Sequence, residues 1–134
     1  MRRIAIGLAA GVAIWVGSAV AAEAQVIIIG PLAPGAGTIH PSSTSTQYKA
    51  NVTPGSTALV DIQLKVYVNS ESTPRWTSSI LGISITGTYL YKKTVSLSGW
   101  NLQTGDVLRF HLDCWWDPTG QLSSHDYNVT VTGS

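Results

Sequence analysis

Val60-Asp61-Ile62-Gln63-Leu64-Lys65-Val66-Tyr67-Val68 alternates aliphatic and polar or amphipathic residues without a break. In an extended chain successive side chains point to opposite faces, so the aliphatics line one side of a pleated strand. Asp61, Gln63, Lys65 and Tyr67 line the other. A second stretch of the same kind runs from Asp106 to Trp116, with Leu108, Phe110, Leu112, Cys114 and Trp116 in one phase and Arg109, His111, Asp113 and Trp115 in the other. Beyond residue 24 no window repeats its apolar residues at helical spacing, and the period-two signal predicts an all-β chain.

The strand at 106–116 is followed by Asp117-Pro118-Thr119-Gly120, in which proline pre-sets φ and glycine accepts positive φ. Tyr127, Val129 and Val131 then alternate with Asn128, Thr130 and Thr132, which predicts a terminal hairpin. Weaker strands are expected at Trp76–Ser79, at Leu81, Ile83 and Ile85, at Tyr89–Leu97 after the break at Gly87, and around Tyr48, Ala50 and Val52. Lys93 stands in the apolar phase of its strand, which marks that strand as an edge or a bulge. Strands at this spacing, with turn residues between them, predict an antiparallel two-sheet sandwich of about six to eight strands.

Met1-Arg2-Arg3 followed by an apolar run to Ala22 and by Ala22-Glu23-Ala24 has the order of a helical secretory signal with a small-residue cleavage site. The expected organisation is a signal peptide over 1–24, a Pro/Gly/Ser/Thr-rich arm or linker over 25–44, and a β-sandwich over 45–134. Within the arm, Val26-Ile27-Ile28-Ile29 reads as the first strand of the sandwich or as a segment added to a neighbour's sheet. The implied location is secreted or periplasmic, with no stable membrane insertion after cleavage. Acidic and basic residues balance beyond the signal, so nothing marks a nucleic-acid partner. Cys114 is the only cysteine, which excludes an intramolecular disulfide, and its phase predicts burial.

Leu97-Ser98-Gly99-Trp100-Asn101-Leu102-Gln103-Thr104-Gly105-Asp106-Val107-Leu108-Arg109-Phe110 resembles the corner before the penultimate strand of immunoglobulin-like and fibronectin-type sandwiches. There, too, a turn with an apolar plug and a Gly-Asp opens a long alternating strand. The resemblance implies an immunoglobulin-like architecture and, by itself, no function. Cys114 lacks the partner of the antibody-domain disulfide, and Trp100 stands where an aliphatic residue is usual.

Two constellations carry chemistry. His111 and Asp113 share the outward face of one strand, with His125 and Asp126 at the start of its hairpin partner, a donor set for zinc or copper if the four converge. The aromatic residues form the second. Tyr67 and Trp115 lie in the polar phase of their strands and, with Trp76, are the candidate ligand-binding residues, since such rings stack on sugars and anchor protein interfaces. No nucleophile elbow or paired catalytic carboxylate is present, and no cofactor motif. The expected function is a non-enzymatic binding or structural module whose partner is a protein or a polysaccharide. The alternatives are a carbohydrate-binding module with an aromatic platform and a metal-binding periplasmic protein.

Overall fold

The computed structural model describes residues 28–31, 38–116 and 120–133. The expected signal peptide and its cleavage site lie outside them, as do Asp117, Pro118 and Thr119 of the hairpin turn. The strands are β1 (Ile28–Pro31), β2 (Ser45–Thr53), β3 (Ala58–Val68), β4 (Trp76–Thr77), β5 (Leu81–Ile85), β6 (Tyr89–Ser96), β7 (Val107–Trp116) and β8 (Gln121–Thr130). They form two antiparallel sheets, so the chain is an all-β sandwich. One sheet has the order β1-β2-β6; in the other, β3 pairs with β7, β7 with β8, and the free side of β3 is shared by β4 and β5.

The two long alternating segments are direct neighbours, β3 against β7, in register from Val60↔Trp116 to Val68↔Leu108. Residues paired across a ladder share a face, so the aliphatics of both strands point the same way. Val60, Ile62, Leu64 and Val66 of β3 and Leu108, Phe110 and Leu112 of β7 are wholly buried. Opposite them stand Tyr48, Ala50 and Val52 of β2 and Tyr91 and Val95 of β6. The Tyr48 ring stacks on Phe110 with centroids 5.6 Å apart and meets Tyr91 edge-on. Each such aliphatic or aromatic side chain contributes about 1.5–3 kcal/mol when taken out of water, and with no disulfide this burial holds the two sheets together.

The ladder of β6 on β2 is continuous, from Ser45↔Ser96 to Val52↔Tyr89, so β6 has no bulge there. It is an edge strand. Lys93, opposite the buried Tyr48, is thus a charge in the core phase of an edge, a device that discourages a further strand from adding.

Two stretches of the arm belong to the sandwich. Ile28–Pro31 pairs antiparallel with β2. Ile39 is wholly buried in the core, and its carbonyl accepts a hydrogen bond from Thr132 N at 2.9 Å. The break between β4 and β5 is closed by Ser78, whose N–H donates to Leu64 O at 2.8 Å while its Oγ accepts from Leu64 N at 2.9 Å. The side chain thereby replaces a ladder bond that backbone alone would otherwise make.

The Leu97–Asp106 corner buries Leu97 and Leu102. Gly105 has φ +98°, a conformation L side chains rarely adopt, and its N–H reaches Val131 O at 2.8 Å. Asp106 Oδ2 accepts from Gln103 N and its Oδ1 from Asn69 Nδ2. These bonds hold the Asp106 carboxyl below its ordinary value, the Gln103 backbone bond having the largest effect.

Candidate functional site

The outer face of the five-stranded sheet carries the polar phase of β3, β7 and β8, and most of the residues singled out in the sequence stand on it. Cross-strand rows follow from the register: Tyr67, Arg109 and Asn128; Lys65, His111 and Asp126; Gln63, Asp113 and Ser124; Asp61, Trp115 and Leu122. Gly82 of β5 extends the last row beyond Asp61.

The middle of the face is a hydrogen-bonded cluster. His111 Nε2 lies 2.8 Å from Asp113 Oδ1 and His111 Nδ1 lies 2.5 Å from Asp126 Oδ1. Each ring nitrogen thus lies against a carboxylate, one on its own strand and one across the ladder. Ser124 Oγ donates to Asp113 Oδ1 at 2.6 Å. Asp113 is buried, and these two donors offset the removal of its carboxylate from water. His125 does not join them. It pairs with Leu112, in the core phase of β8, and its Nδ1 is buried without a hydrogen-bond partner. The four expected ligands are therefore divided between the two faces of the sheet, and the described residues contain no group of three or more His, Cys, Asp or Glu able to hold a metal ion.

Tyr67 and Trp115 stand at opposite ends of the face. Arg109, beside Tyr67, and Trp115 are six positions apart on β7, a span of about 20 Å at strand rise. The Arg109 guanidinium lies 4.1 Å from the centroid of the Tyr67 ring, and Arg109 Nη1 lies 3.7 Å from Asp126 Oδ1. One face of Tyr67 is thus covered by this chain's own cation. Trp76 pairs with the buried Val66, so it faces the sandwich interior and packs against the core, as Trp100, Trp116 and Tyr127 do. The three expected ligand-binding aromatics do not form one platform.

The Trp115 end differs in kind. Trp115 is half-buried, with Asp61 on one side and Leu122, 52% exposed, on the other; Leu59, 45% exposed, precedes Asp61 in the same phase of β3. Reading the strands separately did not bring these residues together. Their adjacency depends on the β7–β8 register for Leu122 and on the β3–β7 register for Asp61 and Leu59, the latter set by no local pattern.

Cys114 is wholly buried. Burial first, and then the neighbouring Asp113 charge, push its thiol up to about 12. At neutral pH it is a small apolar side chain rather than a nucleophile.

No family model matches the chain, and no curated protein matches it. Among solved structures it is similar to a β-glucuronidase of Parabacteroides merdae, at 12% identity and a TM-score of 0.48, over 80% of this chain and 13% of that one. The chain spans that small fraction of the enzyme's length.

Proposed function

We propose that this chain is an exported, non-enzymatic binding module, an immunoglobulin-like or fibronectin-type sandwich that docks another protein on the Trp115 end of its five-stranded sheet. The observation that carries this reading is the grouping of Trp115 with the exposed Leu122 and Leu59 on a face whose other side chains are polar and largely paired with one another. A tryptophan with exposed aliphatics near it has the composition of a protein-binding anchor. The strand order β1-β2-β6 against β5-β3-β7-β8, together with the Leu97–Asp106 corner, supports the immunoglobulin-like assignment. Met1-Arg2-Arg3, the apolar run and Ala22-Glu23-Ala24 support export.

Catalysis is less well supported. Both ring nitrogens of His111 are taken by carboxylates and the only thiol is buried. The polysaccharide alternative requires rings in one plane, and the separation of Tyr67, Trp76 and Trp115 weighs against it. The metal alternative is weakened by the inward position of His125.

Site-specific photo-crosslinking in the native host tests the proposal. A photoreactive residue at position 122 is expected to give one discrete protein adduct, and the same residue at position 49, on the outer face of the other sheet, none. Absence of an adduct from position 122, or the same adduct from both positions, rejects it.

A further inference from the structure

We infer that Trp115 and Asp61 together receive an arginine side chain presented by the partner protein. The inference rests on the binding-module reading and names the chemistry of its docking point.

The argument comes from how this surface holds its own arginines. Arg75 directs Nε and Nη2 at the two oxygens of Glu71, at 3.1 and 2.8 Å, while its guanidinium carbon lies 6.0 Å from the centroid of the Trp100 ring. Arg109 lies over Tyr67 at 4.1 Å with Asp126 3.7 Å from its Nη1. Each described arginine therefore has one aromatic ring and one carboxylate beside it, and Arg75 also donates from Nη1 to Trp100 O at 3.1 Å. The ring attracts the flat face of the guanidinium, and the carboxylate attracts its charge, by hydrogen bonds at Glu71 and as an ion pair at Asp126. Among the described residues no lysine is held in this way.

Trp115 and Asp61 are a third pairing of ring and carboxylate, direct neighbours across the β3–β7 ladder. Glu71, Asp106, Asp113 and Asp126 all have hydrogen-bond partners. Among the described residues the Asp61 carboxylate has no hydrogen-bond or ion-pair partner, and no cation lies over Trp115. Among the described residues the β5 neighbour of Asp61 is Gly82, and Asp61 Oδ1 lies 3.0 Å from the point where a Cβ at position 82 would stand, so the carboxylate leans toward β5 over backbone that carries no side chain at that position. Leu122, on the far side of Trp115, offers an apolar surface for the methylene stem of an incoming arginine. Guanidinium suits the site better than ammonium because it is planar and less strongly hydrated, and so can stack and hydrogen-bond at once. The exposed Leu59 and Leu122 favour an arginine carried on a polypeptide over the free amino acid.

The test is amide and indole NMR of the full chain titrated with the capped tripeptides Leu-Arg-Leu, Leu-Lys-Leu and Leu-citrulline-Leu, at about 1–10 mM as expected for a single anchor. The arginine peptide is expected to shift the Trp115 indole and Leu122 amide signals. Replacing arginine by its neutral isostere citrulline, or Asp61→Asn in the protein, is expected to weaken binding about tenfold or more. Asp61→Asn is nearly isosteric and keeps the fold, Trp115→Ala is expected to abolish the Leu122 amide shift, and Asp126→Asn is the control that leaves both shifts in place. Equal binding of the lysine or citrulline peptide, no effect of Asp61→Asn, or no shift at all overturns the inference. So does a soluble hexasaccharide that moves the Trp115 signal when no peptide does. A position-122 crosslink that persists in Asp61→Asn removes the arginine assignment while leaving the binding module standing; loss of the crosslink from the wild-type chain removes both.

Discussion

His111 and Asp126 face each other across the β7–β8 ladder with Nδ1 and Oδ1 2.5 Å apart, and the same ring reaches back along its own strand to Asp113 at 2.8 Å. The two carboxylates are not equivalent. The Asp113 side chain is 8% exposed and that of Asp126 is 48% exposed. Losing the imidazole leaves a buried charge with Ser124 as its remaining side-chain donor, whereas losing the Asp126 charge removes a partner that water can replace.

A ranking follows. His111→Ala is expected to lower unfolding free energy by about 2 kcal/mol or more, as breaking a buried pair does, and Asp126→Asn by less than about 1 kcal/mol, as for an exposed one. Urea denaturation of the two variants beside wild type measures both. Equal losses would show that Asp113 is compensated by something other than His111.

Tyr48 gains from its ring and loses through its hydroxyl. The ring stacks on Phe110, but Tyr48 Oη is buried and has no hydrogen-bond partner, and burial is the main reason its ionisation is pushed upward. Tyr48→Phe keeps the stack and removes the unsatisfied group, so stability is expected to rise by about 1 kcal/mol, or several degrees in Tm. A lower Tm would reveal an internal partner for the hydroxyl.

Cys114 is expected to resist alkylation. With its thiol at about 12 and no exposed surface, labelling by iodoacetamide at about pH 8 should proceed only after denaturation. Stoichiometric labelling of the folded chain within minutes would contradict the core position of this side chain.

Acid weakens the corner that opens β7. Hydrogen bonds from Gln103 N and Asn69 lower the folded value of the Asp106 carboxyl below its ordinary 3.8. A depressed carboxyl contributes stability that is present above the ordinary value and is lost as pH falls through the folded one. Asp106→Asn should therefore lower the urea midpoint at neutral pH, and its difference from wild type should shrink on acidification. A difference that persists unchanged in acid would assign the effect to shape rather than to charge.

How much of this was legible beforehand varies with the source of the information. β3 and β7 were readable because each alternates over its whole length, and Lys93 marked its strand as an edge because a charge in an apolar phase is tolerated there. Ile39 was missed: one aliphatic residue among glycine, proline and threonine has no neighbours to set a phase, and its burial depends on the distant Thr132. His125 could have been placed. Extending the phase of Val129 and Tyr127 back by two residues puts it on the core side and Asp126 outside. The adjacency of Asp61 and Trp115, like that of Tyr67 and Arg109, is a property of register between strands distant in sequence, which no single stretch of chain encodes.

The pairing of β3 with β7 also governs when the molecule can assemble. Val60 waits for Trp116, Val68 for Leu108, and, in the other sheet, Ser45 for Ser96, so both ladders close large loops before any contact rewards them. Chains dominated by such non-local contacts fold on the scale of milliseconds to seconds rather than microseconds. During synthesis β2 can meet β6 and β3 can meet β5, but the central ladder waits for β7, and until then one edge of β3 stays unpaired.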